Sequence, residues 1–266
     1  MKLNRKALEQ LLSATMREQH INGKAQPQVT SCVLRLKDGV VSTTSIVKDG
    51  KTSLSRFSFK TDEQNDSVIP VPDIERLLGT LKYHGDIVTL SLNDEKVKVK
   101  SKNKQTTLAG GMQSKAYANS KDSLLEFNEQ ALKRAEQIDG NTYILADGGK
   151  ISSFFKVELP ASELHDALKC DGMNGQKLNR YTFECTGDAL KVVVGDVFKG
   201  QTECVLGDDY ACDEFNATFE GGLENIFKHY SGSVTLSFLD FTQYKQGIRM
   251  IMQFENGDWV FQAGVL

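Results

Sequence analysis

The sequence predicts an α+β protein made of two similar domains, each with two short helices packed on antiparallel sheets. Three observations carry this. Runs of alternating polar and apolar residues are punctuated by Asp38-Gly39 and Asp49-Gly50, a strong hairpin signal. Short stretches with apolar residues at helical spacing recur between those runs. One helix-and-strands stretch, 72–108, returns further along: an offset of 146 residues lays Val88-Thr89-Leu90-Ser91-Leu92 on Val234-Thr235-Leu236-Ser237-Phe238, and Leu77, Leu81 and Lys82 on Leu223, Phe227 and Lys228.

Taken in order, 3–19 reads as a helix with Leu8, Leu11, Leu12 and Thr15 on one face and Lys6, Gln10, Ser13 and Arg17 on the other; Lys2 joins them if the helix starts early. Three alternating strands fill 28–60 and a polar loop 61–67. Asp73 then stands in the first turn of a second helix, with Ile74, Leu77, Leu78 and Leu81 inward and Arg76 and Tyr83 outward, Lys82 at the edge. The strands after it include Lys96, Lys98, Lys100, Lys102 and Lys104 alternating with Val97 and Val99. Period-two spacing places the lysines on one face, as a solvated sheet surface or a charged edge. Helical character returns at 124–138. A third helix at 160–169 has Leu164, Ala167 and Leu168 inward and Ser162, Asp166 and Lys169 outward, and a fourth covers 222–230; strands follow each. Helix then three strands thus occurs four times, giving domains 1–109 and 152–266 joined by a connector, 110–151.

A chain of 266 residues suits two domains, each able to bury a core. No apolar run reaches membrane-spanning or signal-peptide length, so a soluble, cytoplasmic protein is expected. Cys32, Cys170, Cys185, Cys204 and Cys212 are odd in number and lack a C-x-x-C pair, so reduced structural thiols and no zinc are expected. The net charge of −3 is uneven: residues 1–109 carry 18 Lys and Arg against 12 Asp and Glu, and the remainder is acidic. A local basic surface on an acidic whole fits a protein that is not adhesive to nucleic acid everywhere. His20, His84, His165 and His229 show no metal spacing, and G-x-S-x-G, P-loop and H-E-x-x-H motifs are absent, so no enzyme, metal or cofactor is predicted.

The order and spacing of MKLNRKALEQLL (1–12), DIERLLGTLKYHGDIVTLSL (73–92), ELPASELHDALK (158–169), Leu206 to Tyr210 and the closing helix and hairpin, 222–266, resemble the sliding clamps, the ring-shaped DNA polymerase processivity factors. The resemblance is strongest to clamps of T-even-like bacteriophages and more distant to the proliferating cell nuclear antigen family. It spans nearly the whole chain except 110–151, which is longer and more helical than that family's pattern. It implies a closed ring, a homotrimer for a two-domain subunit, threaded by double-stranded DNA without base-specific contacts, with a DNA polymerase and a clamp loader as partners.

Carried over position by position, the resemblance makes Lys2, Lys6, Arg17, Arg76, Lys82, Lys169 and Lys228 DNA-facing, with Glu75 and Asp166 as departures that weaken their faces. Leu108, Met112, Phe261, Ala263, Val265 and Leu266 become candidates for a client-peptide pocket, each equally readable as core. The alternative is a monomeric or dimeric processivity factor that grips DNA electrostatically.

Overall fold

The computed structural model describes residues 1–21, 24–47, 53–93, 96–108, 114–173, 177–196, 200–208, 210 and 213–265. The Asp49-Gly50 turn lies outside them. In chain order, β1 (Lys2–Asn4) leads into α1 (Arg5–Met16). A hairpin of β2 (Glu18–Ile21) and β3 (Lys24–Pro27) follows, then β4 (Cys32–Lys37), β5 (Val40–Val47), β6 (Ser53–Lys60), β7 (Ser67–Val71) and α2 (Ile74–Leu81). Next come β8 (Ile87–Asn93), β9 (Lys96–Ser101), β10 (Lys104–Leu108), α3 (Ser114–Ala135), β11 (Ile138–Asp139) and β12 (Thr142–Ile144). β13 (Lys150–Pro160), α4 (Ala161–Leu168), β14 (Arg180–Cys185), β15 (Ala189–Asp196), β16 (Gly200–Asp208) and β17 (Phe215–Glu220) precede α5 (Glu224–Phe227). β18 (Ser233–Asp240), a 3-10 turn (Thr242–Tyr244), β19 (Ile248–Phe254) and β20 (Trp259–Ala263) complete the chain.

Two compact units result. Unit 1 comprises Met1–Met16, Val29–Ile46 and Ser55–Ala135; unit 2 comprises Arg17–Gln28, Val47–Leu54 and Glu136–Leu266. In unit 1 the strands run in the orders β1-β8-β9-β10 and β6-β5-β4-β7; in unit 2 they run β13-β18-β19-β20 and β16-β15-β14-β17, with β12 and β11 added beyond β13. The two orders are the same, and the neighbouring strands within each are antiparallel wherever their register is resolved. Register repeats too: Leu3 faces Val88 and Leu159 faces Val234, and all four are at most 3% exposed.

The apolar spacing of the helices explains their seats. Leu8, Leu11, Leu12 and Thr15 of α1 are buried, as are Ile74, Leu77 and Leu81 of α2, with Leu78 half-buried; α1 and α2 pack side by side. In unit 2, α4 buries Leu164, Ala167 and Leu168, α5 buries Ile226 and Phe227, and those two helices pack together. Asp73 is the N-cap of α2 rather than part of its first turn: its carboxylate accepts from the Arg76 amide at 2.8 Å.

The first helix is shorter than its spacing suggested. Residues 2–4 pair with β8 as an extended strand, and the helix stops at Met16 because Arg17 adopts a left-handed φ of 41°. The predicted connector is mostly helix: α3 packs on unit 1, where Asn128 accepts from Arg35 Nε and donates to the Thr44 carbonyl, both at 2.9 Å. The hairpin β2–β3 was not foreseen. It seats against Gly222, where an added Cβ would meet the Glu18 carbonyl oxygen at 1.9 Å; the Gly222 amide donates to Gln28 and the Asn225 amide group to that same Glu18 carbonyl.

Cys185 is disulfide-bonded, against the expectation of reduced thiols, while Cys32, Cys170 and Cys204 are free. An odd count without C-x-x-C spacing gives no hint of a bridge.

Candidate nucleic-acid interface

Each of α1, α2, α4 and α5 is followed immediately by a basic residue: Arg17, Lys82, Lys169 and Lys228. A cation in that position answers the unpaired carbonyls and partial negative charge of a helix C-terminus. Lys82, Lys169 and Lys228 are the C-caps of their helices and are exposed. Lys6 on α1 and Arg76 on α2 are exposed as well, on the faces opposite the buried leucines.

Arg17 is a correction. Its left-handed backbone swings the side chain off the helical face, and it is 1% exposed, with Nη1 donating to Ser53 Oγ at 2.6 Å. Arg17 is therefore a buried structural cation in this fold, not a residue presented to solvent. Lys2 also leaves the helix face: it is exposed on β1, bordering an open groove of about 840 Å³ that Asp62 and Glu63 line as well.

The local charge differs from helix to helix. Lys169 Nζ lies 2.5 Å from Asp166 Oδ1, an i,i+3 pair that holds the Asp166 carboxyl below its ordinary range and raises the lysine. Glu75 is exposed beside Arg76. Lys6 and Lys82 have no carboxylate within ion-pair distance among the described residues.

The lysine row divides in two. Lys96, Lys98 and Lys100 alternate on β9 with buried Val97 and Val99, but Lys102 stands in the turn and Lys104 opens β10, where its Nζ donates to the Tyr83 carbonyl at 2.9 Å. The row is outer-sheet surface, as period two requires.

Of the client-pocket candidates, Leu108 (8% exposed) and Phe261 (2%) are buried, so neither presents a surface; both complete apolar layers. Ala263 and Val265 are half-buried, and Met112 and Leu266 lie outside the described residues. Around Phe261 the fold assembles a group that the sequence did not announce. Tyr143 of β12 stacks on Phe261 with ring centroids 5.3 Å apart and meets Phe241 edge-on at 5.2 Å; the Arg249 guanidinium sits 4.2 Å from the Phe241 centroid. Burial pulls that guanidinium below the ordinary arginine range, opposed by the Tyr143 hydroxyl. Those rings come from segments about a hundred residues apart, so no local motif could have revealed them.

His84 is structural: 6% exposed, it is bonded to Ser101 Oγ and Thr106 Oγ1, each at 3.0 Å. The described residues contain no metal-ligating cluster and no helix long and apolar enough to cross a membrane.

Solved structures match this arrangement over essentially the whole chain. The beta subunit from DNA polymerase of Streptococcus pyogenes superposes with a TM-score of 0.64 at 12% identity, covering 100% of this chain and 65% of its own. A DNA polymerase sliding clamp from Bacillus subtilis gives 0.64 at 13%, covering 100% and 64%. The DNA polymerase III beta subunit from Thermotoga maritima gives 0.59 at 13%, covering 99% and 64%. The fold is that of the sliding clamps. This chain spans about 65% of the length of those clamp subunits. No family model matches it, and no curated protein matches its sequence.

Proposed function

We propose that this chain is the subunit of a sliding clamp, a homotrimeric ring that encircles double-stranded DNA in the cytoplasm and tethers a replicative DNA polymerase after a clamp loader opens it. The observation that supports this most is the clamp fold over the full chain, with the same strand order in both units. The matched clamp subunits are about half as long again as this chain, which leaves room for one more unit of this size. The kinship with phage clamps belongs to the same proposal.

In this scheme Lys6, Arg76, Lys82 and Lys228 face the duplex, with Lys2 and Lys169 as weaker contributors, Lys169 because Asp166 already answers its charge. Exposed cations on short helices attract phosphates without reading bases, which permits sliding and makes the attraction salt-dependent. The half-buried Ala263, in register with Arg249 of the Tyr143, Phe241 and Arg249 group, and Val265 two residues on mark the proposed client-peptide side. The activity is topological and calls on no catalytic group, metal or cofactor.

Light scattering combined with retention on circular against linear DNA tests the proposal. A trimer that stays on circles and runs off linear DNA ends supports it, and longer products in primer extension with the matched polymerase and loader extend it. A stable monomer holding linear DNA equally well would favour the electrostatic, non-ring alternative.

A further inference from the structure

Unit 2 brings two free cysteines together that lie 34 positions apart in the chain. Cys170 follows the C-cap of α4; its amide donates to the Ala167 carbonyl and its Sγ lies 3.4 Å from the Asp166 carbonyl oxygen. Cys204 is near the middle of β16, directly opposite Val192 of β15. Residues opposite one another on paired strands share a face, and Val192 is wholly buried, so Cys204 points to the buried side of its sheet. α4 packs against β15 and β16 from that side. Cys170, at the end of α4, lies close enough on that side to act electrostatically on the Cys204 thiol, and both residues are half-buried rather than sealed.

The contrast with the other described cysteines isolates this pair. Cys32 is 3% exposed with its thiol pushed up to about 12 by burial, which leaves it inert. Cys185 is already committed to a disulfide. Burial, together with the neighbouring Cys170, also raises the Cys204 thiol.

We infer that Cys170 and Cys204 form a redox-active dithiol site that closes to an intrachain disulfide, stapling the end of α4 to β16. With hydrogen peroxide as oxidant, the Cys170 sulfur attacks one peroxide oxygen. The O–O bond breaks, one water leaves and Cys170 becomes a sulfenic acid. Cys204 sulfur then attacks the Cys170 sulfur, the S–O bond breaks, the S–S bond forms and a second water leaves. Two thiols are oxidised by two electrons and the peroxide is reduced by two. A thiol reductant reverses the change.

Treatment of the full-length protein with one equivalent of hydrogen peroxide, followed by alkylation and mass mapping of non-reduced peptides, tests the site. Expected is a peptide pair linked through Cys170 and Cys204, loss of both residues from the alkylated pool, and their return after dithiothreitol. Cys170→Ser should leave Cys204 fully alkylated, whereas Cys32→Ser should change nothing. The wild-type map decides the matter without relying on either variant. Full alkylation of both residues after peroxide, their recovery as sulfinic acids, or a link joining two chains would overturn the inference.

Discussion

Unit 1 and unit 2 share a strand order and a buried frame yet finish their helices differently. Leu77, Leu81, Val88 and Leu90 of unit 1 and Leu223, Phe227, Val234 and Leu236 of unit 2 are all at most 1% exposed, position for position. The helices themselves have shrunk, from 12 residues in α1 to 8 in α4 and from 8 in α2 to 4 in α5. Charge has changed as well. Lys6 and Lys82 stand clear of carboxylates among the described residues, whereas Lys169 is paired with Asp166 and Lys177 with Glu224. Apolar positions facing a core are tied to one another by packing, while exposed charges answer only to solvent and partners. A duplicated fold can therefore keep its frame while its two surfaces diverge.

The largest effects should come from the shared frame. Leu81→Ala and Phe227→Ala occupy matching seats, and each should cost about 3–5 kcal/mol in urea unfolding; a mild effect at one alone would break the equivalence. Arg17→Glu, placing an acid where a cation is buried against Ser53, should cost about 3 kcal/mol and show as lost stability rather than as a selective loss of DNA retention.

Surface changes separate the units more sharply. Lys6→Glu with Lys82→Glu should leave folding intact, lower retention on circular DNA and flatten the salt slope of log affinity by about 2; Lys169→Glu with Lys228→Glu should do less. Asp166→Asn, which releases Lys169, should raise retention slightly at low salt, and no change would take Lys169 out of the proposed interface.

The smallest effect is in pH. Burial lowers His84 in unit 1 and His229 in unit 2 below the ordinary histidine value, the latter helped by Lys228. The unfolded chain then takes up protons first, so stability should fall as pH drops through about 6.5. His84→Gln and His229→Gln should each remove one share of that slope, read from unfolding at successive pH values.

Much of this frame could be read directly from residues. Alternation located most of the strands, though not β7, β13 or β17, and the match of Leu77 and Val88 to Leu223 and Val234 exposed the repeat, because both signals are local or periodic. What escaped depended on contacts between distant segments or on a single backbone angle. Nothing in Met16-Arg17-Glu18 announces a positive φ, so Arg17 looked like one more outward cation. Lys2 to Asn4 become a strand only because β8 offers them an edge. The Tyr143, Phe241 and Arg249 group and the Cys170–Cys204 pair likewise exist only after folding has joined remote parts of the chain. Of the proposed DNA-facing set, residue type and helical phase identified the exposed members and failed where the helix ended early.

The hairpin seated on Gly222 also sets a clock on assembly. Glu18 and Asn225, which share a hydrogen bond, are separated by 207 positions. Residues 18–27 thus leave the ribosome roughly 10–40 s before the segment around Gly222 that seats them, at ordinary elongation speeds. Until then that hairpin is without its seat and open to chaperones or to a neighbouring nascent chain.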